Sequence, residues 1–203
     1  MIKVLSPFGP KIAKLKFSKE LINKINYEVD RISSNKLLAS KLDYSKKLVG
    51  QVKQEVSLPK SFIKQNLEKI IIKNIKEFIK KSLGKKTKSV KIKNFWVVRQ
   101  YTSEYNPIHF HDGHISGVGY LKVPKFGISK KINLKTNGTI DFINGTKTFL
   151  SESIYNHSPK VGDVLLFPNY LMHTAYPFST KGERRSFSFN AEIDKKIANI
   201  FSK

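Results

Sequence analysis

Near residue 88 the hydrophobic period of this chain changes, and that change narrows the folds open to it. Before it, apolar residues recur every third or fourth position; after "KKTKS" they recur every second. The first pattern is that of amphipathic helices and the second that of half-buried strands. "FSKELINKINYEVDRISS" offers Ser18 as an N-cap and sets Leu21, Ile22, Ile25 and Val29 on one helical face. "SFIKQNLEKIIIKNIKEFIKKSLG" is the strongest helix. Phe62, Leu67, Ile70, Ile71, Ile75, Phe78 and Ile79 form its stripe, Gly84 its stop, and its lysines a solvated opposite face. "KIAKLKF" alternates as a short leading strand, and the stretch from Asn35 to Pro59 is expected to wind irregularly along the surface.

In the second half "VKIKNFWVVRQY", "HISGVGYLKV", "GTIDFI", "KTFL", "DVLLFP" and "RRSFSFNAEI" are strand candidates. Asn137-Gly138 and Asn144-Gly145 suit tight turns that need positive φ. Many short strands between such turns predict a jelly roll or barrel-like sandwich, and a sheet with one exposed face needs helices over it. The expectation is a mostly β, α+β chain: one domain over 1–203, with a helical lead-in at 1–88, a jelly-roll core at 89–193 and a tail at 194–203.

Composition sets outer limits. The 203 residues suffice for one domain with a core, and the absence of cysteine excludes disulfides and thiolate metal sites. Any metal must be held by His, Asp, Glu or backbone oxygen. The N-terminus lacks the apolar core of a signal peptide, and no run of apolar residues reaches membrane-spanning length, so a cytoplasmic protein is expected. The net charge of +23 favours polyanionic partners on electrostatic grounds. Almost all of it is lysine, however; Arg31, Arg99, Arg184 and Arg185 are the arginines, and nucleic-acid surfaces recruit arginine for bidentate contacts. A solvated lysine surface is the favoured reading, with nucleic acid the lesser one.

The chemistry-bearing stretch is "NPIHFHDGHISGVGYL", with three of the five histidines within six positions. His109 and His111 are two apart, so on an extended strand end both project to one side. Alone, this is equally a histidine-rich loop. Some sixty residues on, "VGDVLLFPNYLMHTAYPF" sets His173 on what reads as a returning strand, and "GERRSFSFNAEI" sets Arg184 and Ser186 on one strand face just beyond it. A guanidinium beside a hydroxyl suits a carboxylate ligand. Of the remaining residues, Arg185 reads as solvent-facing, Asp163 as a turn residue, His157 as a loop residue and Trp96 as core. Tyr105 and Asn106 could line the site or shape the turn at Pro107.

With these pieces assembled, "NPIHFHDGHISGVGYLKVP", "GDVLLFPNYLMH" and "RRSFSFN" resemble the iron(II)/2-oxoglutarate-dependent oxygenase superfamily, more narrowly the small oxygenases of marine bacteria and their phages. The likeness spans roughly residues 92–193. It implies a double-stranded β-helix with Fe(II) as metal and 2-oxoglutarate as cosubstrate. It implies a metal held by a facial triad of two histidines and a carboxylate, with His173 as the distal histidine. Where the triad reads H-x-D or H-x-E, this chain has His109-Phe110-His111. The implied ligands are therefore His109, His111 and His173, with Asp112 or His114 as the rival third ligand. Arg184 with Ser186 is the implied partner of the cosubstrate's far carboxylate, and Tyr120 occupies a position where relatives place a hydroxyl on that carboxylate. The implied activity is a hydroxylase of unstated substrate. Two other readings compete: a cupin-type three-histidine protein that does not use 2-oxoglutarate, and a non-enzymatic polyanion binder.

Overall fold

Strand β11, Arg184–Ile193, organises the molecule because its two faces differ in chemistry. Arg185, Phe187, Phe189 and Ala191 face one way; Arg184, Ser186, Ser188 and Asn190 face the other, and all eight are buried. A strand buried on both faces must sit between two layers. The computed structural model, which describes residues 2–5, 9–127 and 136–199, shows both layers.

The chain runs β1 (Lys3–Leu5), β2 (Ile12–Lys16), α1 (Lys19–Ser34), α2 (Lys36–Lys41), a 3-10 turn (Ser45–Lys47), β3 (Gln54–Ser57), α3 (Lys60–Asn66) and α4 (Glu68–Leu83). It continues through β4 (Val90–Gln100), β5 (Asn106–His109), β6 (Ile115–Lys122), β7 (Ile140–Ile143), β8 (Ile154–His157), β9 (Asp163–Pro168), β10 (Met172–Ala175), β11 and α5 (Lys195–Ala198). Seven strands form the major sheet in the order β1-β2-β9-β6-β11-β4-β3, and four form the minor sheet, β5-β10-β7-β8. Neighbours pair antiparallel throughout. The expected strand-rich core with helices over one sheet is thus the observed architecture.

The outer face of the major sheet carries the larger core. Phe95, Val97, Val164, Leu166, Phe187 and Phe189 meet Ile22, Ile25, Val29 and Ile32 of α1 and Ile71, Ile75, Phe78 and Ile79 of α4. Phe187 stacks on Phe17 at 5.4 Å and on Phe95 at 5.3 Å. These rings explain the glycines of "SGVGYL". Gly117 and Gly119 pair with Phe189 and Phe187 across the β6–β11 ladder, and a Cβ at either glycine would overlap the facing ring. Ser18 caps α1 by accepting from the Leu21 N–H, and Gly84, at φ 67°, closes α4 as expected.

Four expectations need correction. The strong helix is two helices broken at the fully buried Leu67. The irregular stretch 35–59 contains α2, the 3-10 turn and β3. "KTFL" is not a strand: its Phe149 and Leu150 are over 90% exposed at a turn, and the pairing partner of β7 is Ile154–His157 instead. Arg185 is not solvent-facing. It lies under α1 with no exposed surface, where its guanidinium donates to Glu183 at 2.8 Å and Asp30 at 2.6 Å, and Glu183 also takes Arg99 at 2.7 Å. The same outer phase that buries the phenylalanines buries this arginine, and acidic partners compensate its charge. Residues 200–203 of the expected tail lie outside the described residues. Among the described residues no helix is long and apolar enough to cross a membrane.

Gly119→Ala tests this packing. Forcing a methyl against the Phe187 ring is expected to destabilise the fold by about 1–3 kcal/mol, read as a lower denaturation midpoint; a midpoint equal to wild type would contradict the close approach.

Candidate metal centre

The inner face of the major sheet and the minor sheet enclose a cavity. A small apolar cluster of Ile12, Val118, Tyr120, Leu165 and Phe167 from the major sheet, Ile140 and Phe142 from the minor sheet and Leu171 from the turn between β9 and β10 seals part of this interior. The cavity is lined by His109, His111 and His173 together with Tyr120, Arg184 and Ser186. Residues from distant segments of the chain therefore share one space.

Antiparallel pairing brings the first two histidines together. His109, the last residue of β5, is the direct cross-strand partner of His173 on β10, so both imidazoles leave the sheet on one side. Their ring centroids are 4.3 Å apart. The chain then leaves β5, and His111 completes the group at 5.0 Å from His109 and 4.8 Å from His173. One ring nitrogen from each of the three lies within 4.8 Å of the others. His111 is held in place by its backbone, which donates to the Asn169 carbonyl at 2.9 Å and accepts from the Asn169 side chain at 3.1 Å.

Each ring is also fixed in tautomer. The Nδ1 of His109 bonds the Pro107 carbonyl at 2.7 Å, and the Nδ1 of His173 bonds the Leu171 carbonyl at 2.9 Å. A carbonyl only accepts, so both Nδ1 atoms carry the proton. His111 Nδ1 meets Asn190 Oδ1 at 2.9 Å, and Ser116 donates to the same oxygen at 3.0 Å. The three Nε2 lone pairs are left for the cavity. This is the outer support that metal-bound imidazoles usually have. Burial lowers the pKa of all three: His109 falls below its usual value, His111 drops to about 4 with a further push from His109, and His173 falls well below 6.5. At neutral pH they are uncharged, as a divalent cation requires.

Deeper in the cavity lies Arg184. It is 3% exposed, donates to the Gly138 carbonyl at 2.7 Å and to Gln100 Oε1, and has no hydrogen-bond partner for Nε. Among the described residues no carboxylate pairs with it. Burial pulls its pKa down to about 10, which still leaves it charged at neutral pH. Ser186 stands directly across the β6–β11 ladder from Tyr120, and Arg184 follows two residues along the same face. Burial drives the Tyr120 phenol upward, so it stays protonated and able to donate. A buried cation without a counter-charge, beside two hydroxyls, is a place for a carboxylate brought by a ligand.

The structure leaves other candidates outside. Asp112 is exposed, held by Lys93 at 2.7 Å and by the N–H of Gly113. His114 turns away, its Nδ1 accepting from Ile193 N at 3.0 Å. Asn106 and Trp96 line the cavity. His157 is not a loop residue but lies buried on β8, its Nε2 3.3 Å from Asp163. Asp163 is fully buried and faces inward rather than merely turning the chain, with Lys14 at 3.3 Å and Lys16 at 3.6 Å. Asn190, Gln100, Asn169 and Glu55 went unread in the sequence. For Asn190 a signal existed, because it continues the inward polar phase of Arg184, Ser186 and Ser188.

Proton uptake follows from this burial. Below the usual imidazole pKa of 6.5 the unfolded chain takes up protons that His109, His111, His157 and His173 resist when folded, so stability falls as pH falls. Glu55, raised to about 7 by its own burial, works in the opposite sense, keeping a proton that the unfolded chain has lost above 4.5. Four imidazoles oppose this one carboxyl, and carboxyls held below their usual range by cationic or hydrogen-bonding partners, Glu183 among them, add to the loss as pH nears 4. In the presence of chelator the melting temperature is expected to drop between pH 7 and about pH 4, where His111 and His157 titrate; calorimetry showing a flat or rising profile would contradict this.

Residues 94–190, which hold the three histidines, Tyr120, Arg184 and Ser186, match the model of a family described as "Putative 2OG-Fe(II) oxygenase". No curated protein matches the sequence. Among solved structures, HygX from Streptomyces hygroscopicus, with nickel, 2-oxoglutarate and hygromycin B bound, superposes with a TM-score of 0.60 at 11% identity, over 89% of this chain and 82% of that one. A Pseudomonas putida prolyl-4-hydroxylase gives 0.59 at 12% identity over 90% and 91%. The viral collagen prolyl hydroxylase of Paramecium Bursaria Chlorella virus-1, a 2-oxoglutarate complex, gives 0.54 at 17% over 89% and 94%. At such identities the likeness is one of fold, the double-stranded β-helix. The core segment, residues 94–190 and just under half of the chain, thus matches a family of iron(II)/2-oxoglutarate-dependent oxygenases, and the chain shares their fold.

Proposed function

We propose that this oxygenase is a hydroxylase in which His109, His111 and His173 hold Fe(II), while Arg184, with Tyr120 and Ser186, holds the far carboxylate of 2-oxoglutarate. The observation that carries the reading is Arg184: a buried guanidinium with an unpartnered Nε and no acidic partner among the described residues, in the same cavity as three neutral imidazoles. The donor set fits both groups. Three neutral nitrogens suit a borderline divalent ion, and a guanidinium with hydroxyls suits a carboxylate.

The bound pair supplies oxidative decarboxylation of 2-oxoglutarate to succinate and carbon dioxide, coupled to insertion of one oxygen atom of O2 into a C–H bond. The chain's own contribution is positioning. The carbonyls of Pro107 and Leu171 and the Asn190 amide lock the imidazoles in the tautomer that presents Nε2. Gly138 and Gln100 hold the Arg184 fork before any ligand arrives, which reduces the entropy lost on binding. Val118, Ile140 and Phe167 wall the cavity with carbon and keep water from competing for the guanidinium. No side chain is needed as an acid or base for the oxidation.

One observation favours a second reading. The histidine group contains no carboxylate, and a cupin-type three-histidine centre that does without 2-oxoglutarate would look the same at the metal. The two differ at Arg184.

Anaerobic addition of Fe(II) and 2-oxoglutarate is expected to produce a metal-to-ligand charge-transfer band in the wild type. Arg184→Gln should keep Fe(II) binding and weaken 2-oxoglutarate by about 10- to 100-fold, the worth of charge-assisted hydrogen bonds. No band, or a band unchanged in the variant, would favour the cupin-type reading. Asn190→Ala, which frees the His111 ring, should lower Fe(II) affinity by about 10- to 100-fold; equal affinity would remove His111 from the ligand set.

A further inference from the structure

Between Arg184 and the opposite rim the cavity changes sign. One row of residues crosses four strands in register: Glu55 on β3 faces Val98 on β4, Val98 faces Ser186 on β11, and Ser186 faces Tyr120 on β6. All four line the same cavity. Adjacent strands are about 4.8 Å apart, so Glu55 stands about 10 Å from Ser186, at the end of the cavity away from the tyrosine.

Glu55 is 2% exposed, and its Oε2 has no hydrogen-bond partner. The Oδ1 of Asn106 is likewise buried and unpartnered. The Asn106 oxygen and the other oxygen of the same Glu55 carboxyl meet over Gly50, which has no side chain: a Cβ there would lie 2.6 Å from Asn106 Oδ1 and 2.7 Å from Glu55 Oε1. Once the Glu55 carboxyl is ionised, two acceptors face each other with no donor between them, which is expensive unless something with N–H groups arrives. Burial, with Asp43 adding to it, raises the Glu55 carboxyl to about 7, as expected for an acid awaiting a positive partner. The chain's net charge of +23 gives cations no general reason to gather here, so recognition has to be local.

The way in to this end also suits such a guest. Leu48 and Val49 wall both the cavity and the shallower pocket outside it, where Val49 and Phe110 are exposed. Trp96, stacked on Tyr44 at 5.8 Å, lies at the same passage.

We propose that Glu55, with Asn106, is the specificity-determining pair of this oxygenase and accepts N–H donors from a cationic ammonium or guanidinium group of the substrate, whose aliphatic stem lies along Leu48, Val49 and Trp96. This rests on the metal and cosubstrate reading above, because it takes the guest to be the molecule that is oxidised. Arg184 then takes the acid and Glu55 the base, at opposite ends of one cavity.

Trp96 is the chain's one tryptophan, so its fluorescence reports on the cavity and its entrance. Wild-type protein with Mn(II) and 2-oxoglutarate is titrated with n-butylamine, n-butylguanidine, 1-butanol and butyrate, and with the peptide acetyl-Gly-Lys-Gly-amide. Saturable change with the cations at concentrations at least tenfold below the alcohol and the acid is expected, and Glu55→Gln should remove that preference. The peptide binding better than butylamine would place the cation on a polypeptide; the reverse would make the substrate a small amine. Asn106→Asp, which adds a second negative charge, should tighten the cations, and this gain remains readable if Glu55→Gln fails to fold. Equal response to all four butyl probes overturns the proposal. So does a cation preference that survives Glu55→Gln, or Asn106→Asp with no gain; either marks the two side chains as partners of each other only. Calorimetry with Mn(II) and 2-oxoglutarate on the same wild-type sample separates the two readings. Failure there counts against the metal and cosubstrate assignment, whereas normal binding without cation preference counts against Glu55.

Discussion

Arg184 carries a positive charge into the interior at a point where the described residues supply no negative one. The contrast with its neighbour is instructive. Arg185, equally buried, is surrounded by Glu183 and Asp30, and its charge is neutralised within the fold. Two adjacent arginines on one strand thus have opposite status, set only by which face each takes. A charge left uncompensated in the folded state costs stability that a purely structural residue would have no reason to incur. The cavity around it has hydroxyls on the same face, carbon walls and a guanidinium already oriented, which on the proposed assignment suits an acidic guest.

Apart from His111, which Asn169 and Asn190 hold, the rest of the site follows from two antiparallel ladders. Pairing of β5 with β10 sets His109 opposite His173, and pairing of β6 with β11 sets Tyr120 opposite Ser186. Neither juxtaposition depends on a flexible loop, so both are as rigid as the sheets. On the proposed assignment the three ligands are neutral. A divalent ion among them keeps its whole charge until a dianion arrives, which places extra weight on the cosubstrate's own carboxylates and on the arginine that orients them. The outer face makes this rigidity possible: Phe187 and Phe189 press on the glycines of β6 and join the sheet to α1 and α4.

Much of this was legible in the order of residues. The switch of period near residue 88 forecast helices before strands, and the alternation in "RRSFSFNAEI" separated a phenylalanine face from a polar one. The spacing of His109 and His111 and the returning strand at His173 marked the group that the ladders assemble. What was not legible depends on pairing across the fold. Nothing local shows that Arg185 would lie beneath α1, since the lysine-rich surroundings suggest solvent. His157 and Asp163, read as loop and turn residues, are buried because β8 and β9 carry them inward. "KTFL" has strand composition but no facing partner, so its phenylalanine and leucine remain in water. Glu55 lies in a stretch without periodicity, and only its place beside β4 brings it to the cavity.

Whether the interior charge is there for a ligand's far carboxylate can be asked with two keto acids that differ at that one group. Calorimetric titration of the Mn(II)-loaded protein with 2-oxoglutarate and with 2-oxopentanoate, which has the same keto acid but a methyl end, isolates it. The account predicts that 2-oxoglutarate binds at least about tenfold more tightly, as charge-assisted hydrogen bonds in a buried site imply. Equal affinity for the two would mean that Arg184 meets no ligand carboxylate.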